Sequence, residues 1–144
     1  MTASVFGELA RKEFQVEFHS HAAAILTIDF PDAVFTEAFQ INPQGEIVGN
    51  YQSADGIFHE FLLSRDGFKS IDFPHALSTG GSLFGVGINP LGAIVGQYRD
   101  SGGTTHGFLL HDGVFTSIDV SGAIATVATA IEADLPPESA NSRT

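Results

Sequence analysis

The chain contains one passage twice. Residues 41–72 laid on residues 88–119, a shift of 47, give 17 identities in 32 ungapped positions, where about two would arise by chance from ordinary residue frequencies. Such a repeat constrains the fold more than any single motif. A short repeated unit cannot bury its apolar face alone, so it has to stack on its neighbours. The landmarks are Ile41-Asn42-Pro43 with Ile88-Asn89-Pro90, Ile47-Val48-Gly49 with Ile94-Val95-Gly96, and Tyr51 with Tyr98. His59 falls on His106, Phe61-Leu62-Leu63 on Phe108-Leu109-Leu110, and Ile71-Asp72 on Ile118-Asp119. The last element has a third copy at Ile28-Asp29-Phe30-Pro31, 43 residues before Ile71-Asp72-Phe73-Pro74. The difference in spacing places a four-residue insertion near Ser78 to Phe84.

Each full unit parses into four short strands. Unit one predicts strands over 37–42, 46–53, 57–64 and 68–73; unit two predicts them over 84–89, 93–99, 104–110 and 114–120. The breaks carry turn chemistry: Asn42-Pro43-Gln44-Gly45, Asn89-Pro90-Leu91-Gly92, Asp66-Gly67 and Asp112-Gly113. Proline presets φ in such turns, glycine accepts positive φ, and Asp-Gly between apolar runs marks a hairpin. Helix is conceivable only over Ser4–Phe14 and Ala123–Ala133, and the second of these corresponds to a strand in the repeat register.

These strands imply an all-β, β-propeller-like fold with four-stranded antiparallel blades and about three repeats per chain. Residues 1–134 read as one β-repeat domain: a partial unit at 1–31, full units at 32–74 and 75–121, and the first strand of a closing blade at 122–134. Residues 135–144, with Pro136-Pro137, read as a flexible tail. The segments Ile28–Leu63 and Ile71–Leu110 resemble the HAF-type extracellular repeat family, in which an IDFP element is followed by GIN, IVG, a Tyr and a His-small-Phe element. The resemblance runs over about residues 25–131; Glu60 departs from it, standing where the family pattern has a small residue. It implies a bacterial protein, an extracellular or cell-surface setting and a propeller-like fold, and it implies no activity.

Composition removes several classes of function. Six basic residues against 17 acidic ones give a net charge of −11, whereas nucleic acid or an anionic membrane calls for a basic footprint. With no cysteine there is no disulfide scaffold and no thiolate chemistry. The N-terminus carries Glu8, Arg11, Lys12 and Glu13 and no apolar run, so it does not read as a signal peptide.

The repeated polar residues are the candidate chemistry. His59 and His106 either ring a metal or ligand, or tie strands together within each unit. Repetition favours the second reading, because equivalent positions in successive units need not converge and zinc held by imidazoles needs three or four at one point. Asp29, Asp72 and Asp119 are either the partners that orient those imidazoles or caps of the following turn. His19, His21, His75 and His111 lie out of register, and His19-Ser20-His21 has the spacing of a weak two-histidine metal clip. The glycines from Gly85 to Gly92 lack the Lys-Ser/Thr or dinucleotide spacing of a phosphate loop. Phe30, Phe58, Phe61, Phe68, Phe73, Phe108 and Phe115 sit at strand positions and read as packing between units.

No residue is assigned to catalysis or metal binding, and no cofactor is expected. The leading expectation is a non-enzymatic β-repeat module presenting a binding or assembly surface for a glycan or protein ligand. The alternative is a small carbohydrate-binding or carbohydrate-cleaving propeller. Three blades fall short of the four to eight that close a propeller, so self-association to a homodimer with six blades is expected. Far-UV circular dichroism should show a β-dominated spectrum; a helix-dominated one would overturn the strand assignment.

Overall fold

A computed structural model describes residues 2–4, 15–17, 25–81, 83 and 85–133 of the chain. Every element among these residues is a strand. β1 (Thr2–Ser4) and β2 (Gln15–Glu17) form an antiparallel pair with Ala3 opposite Val16. β3 (Phe35–Ile41), β4 (Ile47–Gln52), β5 (Phe58–Ser64) and β6 (Gly67–Ile71) form a first antiparallel sheet in chain order. β7 (Ser78–Thr79), β8 (Gly87–Ile88), β9 (Ile94–Arg99), β10 (Thr105–His111) and β11 (Val114–Ile118) form the second sheet. Its order is β7-β9-β10-β11, and β8 also pairs with β9.

The unit-two strand expected over 84–89 is instead split. β7 and β8 lie along the same β9 strand, Thr79 opposite Tyr98 and Ile88 opposite Ile94. Thr36 opposite Tyr51 and Ile41 opposite Ile47 are the counterparts in unit one, joined there by a continuous strand with an irregularity between Ala38 and Gln40. Four additional residues between the same two anchor points cannot follow one ladder, so the chain leaves β9 after Thr79 and returns at Gly87. The closing-blade strand expected within 122–134 is also not formed. Residues 121–133 make one parallel bridge, Thr105 to Ala125. The segment runs past Thr105, Gly107 and Gly87 of the second sheet without extending that one bridge into a ladder. The helix alternative over Ala123–Ala133 is absent as well. The Ser4–Phe14 alternative, nearly all of His19-Ser20-His21 and its surroundings, and the 135–144 tail lie outside the described residues.

Alternation along the strands assigns each face. Ile47, Tyr51, Phe61 and Leu63 form one buried cluster, covered by Ile28, Phe30, Ala33 and Phe68. The opposite face contributes Val48 and Leu62 to a second cluster with Ile88, Ile94, Phe108 and Leu110 of the second sheet. The central strands β4 and β5 are therefore buried on both faces, while the edge strand β3 is largely exposed. Phe61 and Phe108 are wholly buried, and each contributes about 1.5–3 kcal/mol relative to an exposed side chain.

Two recurring loops join the units. The first is the segment after the last strand. Ala33 N–H donates to Phe30 O, Ala76 to Phe73 O and Ala123 to Val120 O. Each closes a four-residue turn whose third residue has positive φ: Asp32 at 64°, His75 at 66° and Gly122 at 82°. With Pro31 and Pro74 at the second position, the first two have the type II pattern. His75 is thus a turn residue. A threonine then fixes the loop: Thr36, Thr79 and Thr126 Oγ1 accept from the backbone N–H of Phe30, Phe73 and Val120.

The second is the Asn-Pro turn, and it does more than reverse the chain. Asn42 Oδ1 accepts from Gln44 and Glu46 N–H at 3.1 and 2.9 Å, and Asn89 Oδ1 accepts from Leu91 and Ala93 N–H at 3.0 and 2.9 Å. The amide of each then reaches the next unit. Asn42 Nδ2 donates to Asn89 O, and Asn89 Nδ2 donates to Glu132 O, both at 3.1 Å. Residues around Glu132 therefore dock on the second sheet by the same joint that docks the second sheet on the first. Asn89→Ala should cost on the order of 2–3 kcal/mol, because two backbone donors and one carbonyl lose a partner in a buried place. Gln44→Ala, on the exposed side of the equivalent turn, should leave the denaturation midpoint unchanged.

Candidate functional site

The strands of each unit bring the repeated polar residues together in one arrangement. Tyr51 and His59 face each other across β4 and β5, as Tyr98 and His106 do across β9 and β10. Their rings stack, with centroids 4.7 and 4.9 Å apart. On the other face of each tyrosine lies the phenylalanine of the preceding IDFP element, Phe30 on Tyr51 at 3.7 Å and Phe73 on Tyr98 at 3.6 Å.

Hydrogen bonds close the stack into a ring. Tyr51 OH meets Ser70 Oγ at 2.8 Å, Ser70 donates to Asp72 Oδ2 at 2.7 Å, and Asp72 Oδ1 meets His59 Nδ1. In the second sheet Tyr98 OH meets Ser117 at 2.9 Å, Ser117 donates to Asp119 Oδ2 at 3.0 Å, and Asp119 Oδ1 meets His106 Nδ1 at 2.6 Å. Of the two roles open to Asp72 and Asp119, the structure gives them that of histidine partner. Asp29 makes no such contact among the described residues, since Val16 stands at the position that corresponds to His59. His111 pairs with its neighbour Asp112 at 3.3 Å, on the hairpin turn.

The second ring nitrogen distinguishes the two units. Ser53 Oγ lies 3.1 Å from His59 Nε2, which completes a Ser53–His59–Asp72 line that the sequence pattern did not reveal. Its chemistry is decided by the repeat. Asp100 stands where Ser53 stands, and it meets His106 Nε2 at 2.8 Å. A carboxylate cannot serve as the serine nucleophile, yet the rest of the arrangement persists unchanged. Ser53 Oγ also contacts Asp55 Oδ1 and Ile57 O within its own turn. What the two lines share is that they tie the residue after β4 or β9 to the histidine on β5 or β10 and to the aspartate after β6 or β11.

Two carboxylates on one imidazole have an electrostatic consequence. Both nitrogens of His106 donate only when the ring is protonated, so the bonds from Asp100 and Asp119 hold its pKa above the ordinary 6.5. The His106 bond in turn holds Asp100 below its ordinary 3.8.

Glu60 stands where unit two has Gly107, and in the register of Phe14 to Pro31 on Ile57 to Pro74 it corresponds to Glu17. It is 1% exposed, and it lies on the face of β5 that meets the second sheet. Its Oε1 accepts from Gln97 N–H at 3.2 Å, while Oε2 has no hydrogen-bond partner among the described residues. Burial raises its pKa well above the ordinary 4.5, the Gln97 N–H opposes the shift, and the Asp72 charge adds to it. Gly96 makes room for this carboxyl group, for a Cβ there would lie 2.1 Å from Oε1. At the corresponding place in unit two, Gly107 allows backbone and Cβ of Ala128 to approach instead.

Comparison with protein-family models, with curated proteins and with solved structures finds no match.

Stability should fall as pH rises from about 5 to about 8, by linkage. Burial raises the Glu60 pKa in the folded state, so the unfolded chain loses this proton first as pH rises above 4.5, and the His106 stabilisation, complete below 6.5, disappears as the folded histidine deprotonates. Asp100 acts oppositely, its contribution being lost only as pH falls below 3.8. Thermal melts across this range should show Glu60→Gln more stable than wild type at the alkaline end and less dependent on pH. His106→Ala should melt lower than wild type at weakly acidic pH and should lose the part of the pH dependence near neutrality. A Glu60→Gln melting profile superimposable on wild type would contradict a raised Glu60 pKa.

Proposed function

We propose that the chain is a non-enzymatic HAF-type repeat module whose sheets are propeller blades, and that it works by presenting an assembly surface to a second copy of itself. The observation that carries this reading is the asparagine ladder. The joint from Asn42 to Asn89 O is repeated from Asn89 to Glu132 O. Units stacked by one repeated joint turn about a common axis, as blades do. The Val120–Thr126 loop supports the same reading, since it reproduces the loops that lead into the first two sheets.

Residues 121–133 then stand at the entry to a further blade. In the repeat register, Phe14 to Pro31 corresponds to Ile57 to Pro74 and supplies its outer strands. Exchange of these segments between two copies completes two blades, and two copies together give six. Six lies within the range of closed propellers, and two-fold assembly is the commonest oligomer symmetry. Exposed Val120 and Ile124, at 62% and 94%, are the apolar positions that such a blade would cover.

A latch role for the histidines fits a scaffold rather than a catalyst. The equivalent rings serve the same packing purpose in both sheets, and one of them has exchanged serine for aspartate. Light scattering after size exclusion should give about twice 15.2 kDa. Ile124→Asp should shift the population to monomer while leaving the β spectrum intact. A wild-type monomer at micromolar concentration would overturn the assembly.

A further inference from the structure

The two sheets differ most at one cross-strand row. In the first sheet Phe35, Gln52 and Phe58 lie side by side across β3, β4 and β5. The two phenylalanines pack edge to face with centroids 6.0 Å apart. The matching row of the second sheet is Ser78, Arg99 and Thr105, across β7, β9 and β10. Two aromatic rings are thus replaced by two hydroxyl side chains, and a cavity of about 240 Å³ lies over this row.

Its walls combine apolar and polar character. Phe58, Leu83 and Tyr98 supply its apolar and aromatic lining, and Ser78, Thr105, Arg99 and Gln97 its polar side chains. Gln97 is 5% exposed, and its Oε1 has no hydrogen-bond partner among the described residues. A buried acceptor left unpaired costs on the order of 1–3 kcal/mol. Arg99 is held by Nε donating to Gly103 O at 3.2 Å, which fixes its side chain at the hairpin turn beside the cavity.

We infer that this cavity binds one neutral sugar ring. Pockets for drug-sized ligands run from about 300 to 1,000 Å³, so the smaller volume suits a single ring. Hydroxyls, a carboxamide and a guanidinium offer donors and acceptors for several ligand hydroxyls, and Phe58 faces the ring's C–H surface. A net charge of −11 disfavours an anionic ligand, because the summed field repels it. An aromatic or aliphatic ligand would leave Gln97 and Arg99 unsatisfied. The site goes beyond the assembly reading and does not depend on it, since all its residues belong to one chain.

Titration of the isotope-labelled protein with methyl glucoside, methyl galactoside and methyl mannoside tests the inference. At least one should give saturable amide shifts confined to Gly80, Gly81, Gln97 and Thr105. Thr105→Phe restores the first-sheet residue and should abolish the shifts. Ser78→Ala and Thr105→Val, which remove only the hydroxyls and spare the fold, should weaken binding, and Arg99→Ala should lower affinity about tenfold or more. The inference is overturned if none of the three sugars shifts these amides, if Thr105→Phe and Thr105→Val bind as wild type does, or if benzyl alcohol occupies the site and the sugars do not. Oligomeric mass, measured on the same samples, reports on the assembly independently.

Discussion

The structure depends on a phenylalanine that ends one unit and packs in the next. Phe73 follows the last strand of the first sheet, yet its ring lies flat on Tyr98 and edge-on to Phe115 of the second. Ile71, two residues earlier, is buried in the cluster shared by both sheets, and Asp72 between them turns back to His59 of its own sheet. Three consecutive residues thus have three destinations. Phe30 repeats the arrangement on Tyr51 and Phe68. Stacking of this kind contributes about 0.5–1.5 kcal/mol beyond the area it buries, and here it also sets the relative position of neighbouring sheets.

Around that contact, polar groups are used to define geometry. Each tyrosine is covered by phenylalanine on one face and histidine on the other, and its hydroxyl is held by serine. The asparagine of each Asn-Pro turn satisfies its own loop and then reaches the next one. Buried polar groups gain little net stability, but leaving one unpaired is costly, so a satisfied network selects one packing over its alternatives. The Glu60–Gly96 contact is the exception. It puts a carboxyl group whose pKa is raised by burial between the sheets and makes the stability of that joint dependent on pH.

The departures from the repeat are where the two sheets acquire different properties. Asp100 in place of Ser53 gives His106 a second carboxylate partner without changing the position of the ring. Phe35 and Phe58 against Ser78 and Thr105 change a filled space into a lined cavity. Four inserted residues split a strand and leave its ends in place.

Much of this was legible in the chain itself. The all-β class, the four strands of unit one, the last three of unit two and the hairpin turns follow from spacing, because repetition and period-two alternation are local properties of the sequence. The pairing of His59 with Asp72 and of His106 with Asp119 was one of two open readings. Only the tertiary structure decided it, since the partners are 13 residues apart and meet only once β5 and β6, or β10 and β11, are in register. The same holds for the split strand, for positive φ at Asp32 and His75, and for the Asn89 joint 43 residues away at Glu132. Glu60 shows the division best. In the sequence it shows only as a departure from the His-small-Phe pattern. Its burial follows from the side of β5 it faces and from the absence of a side chain on Gly96, and neither is local to Glu60.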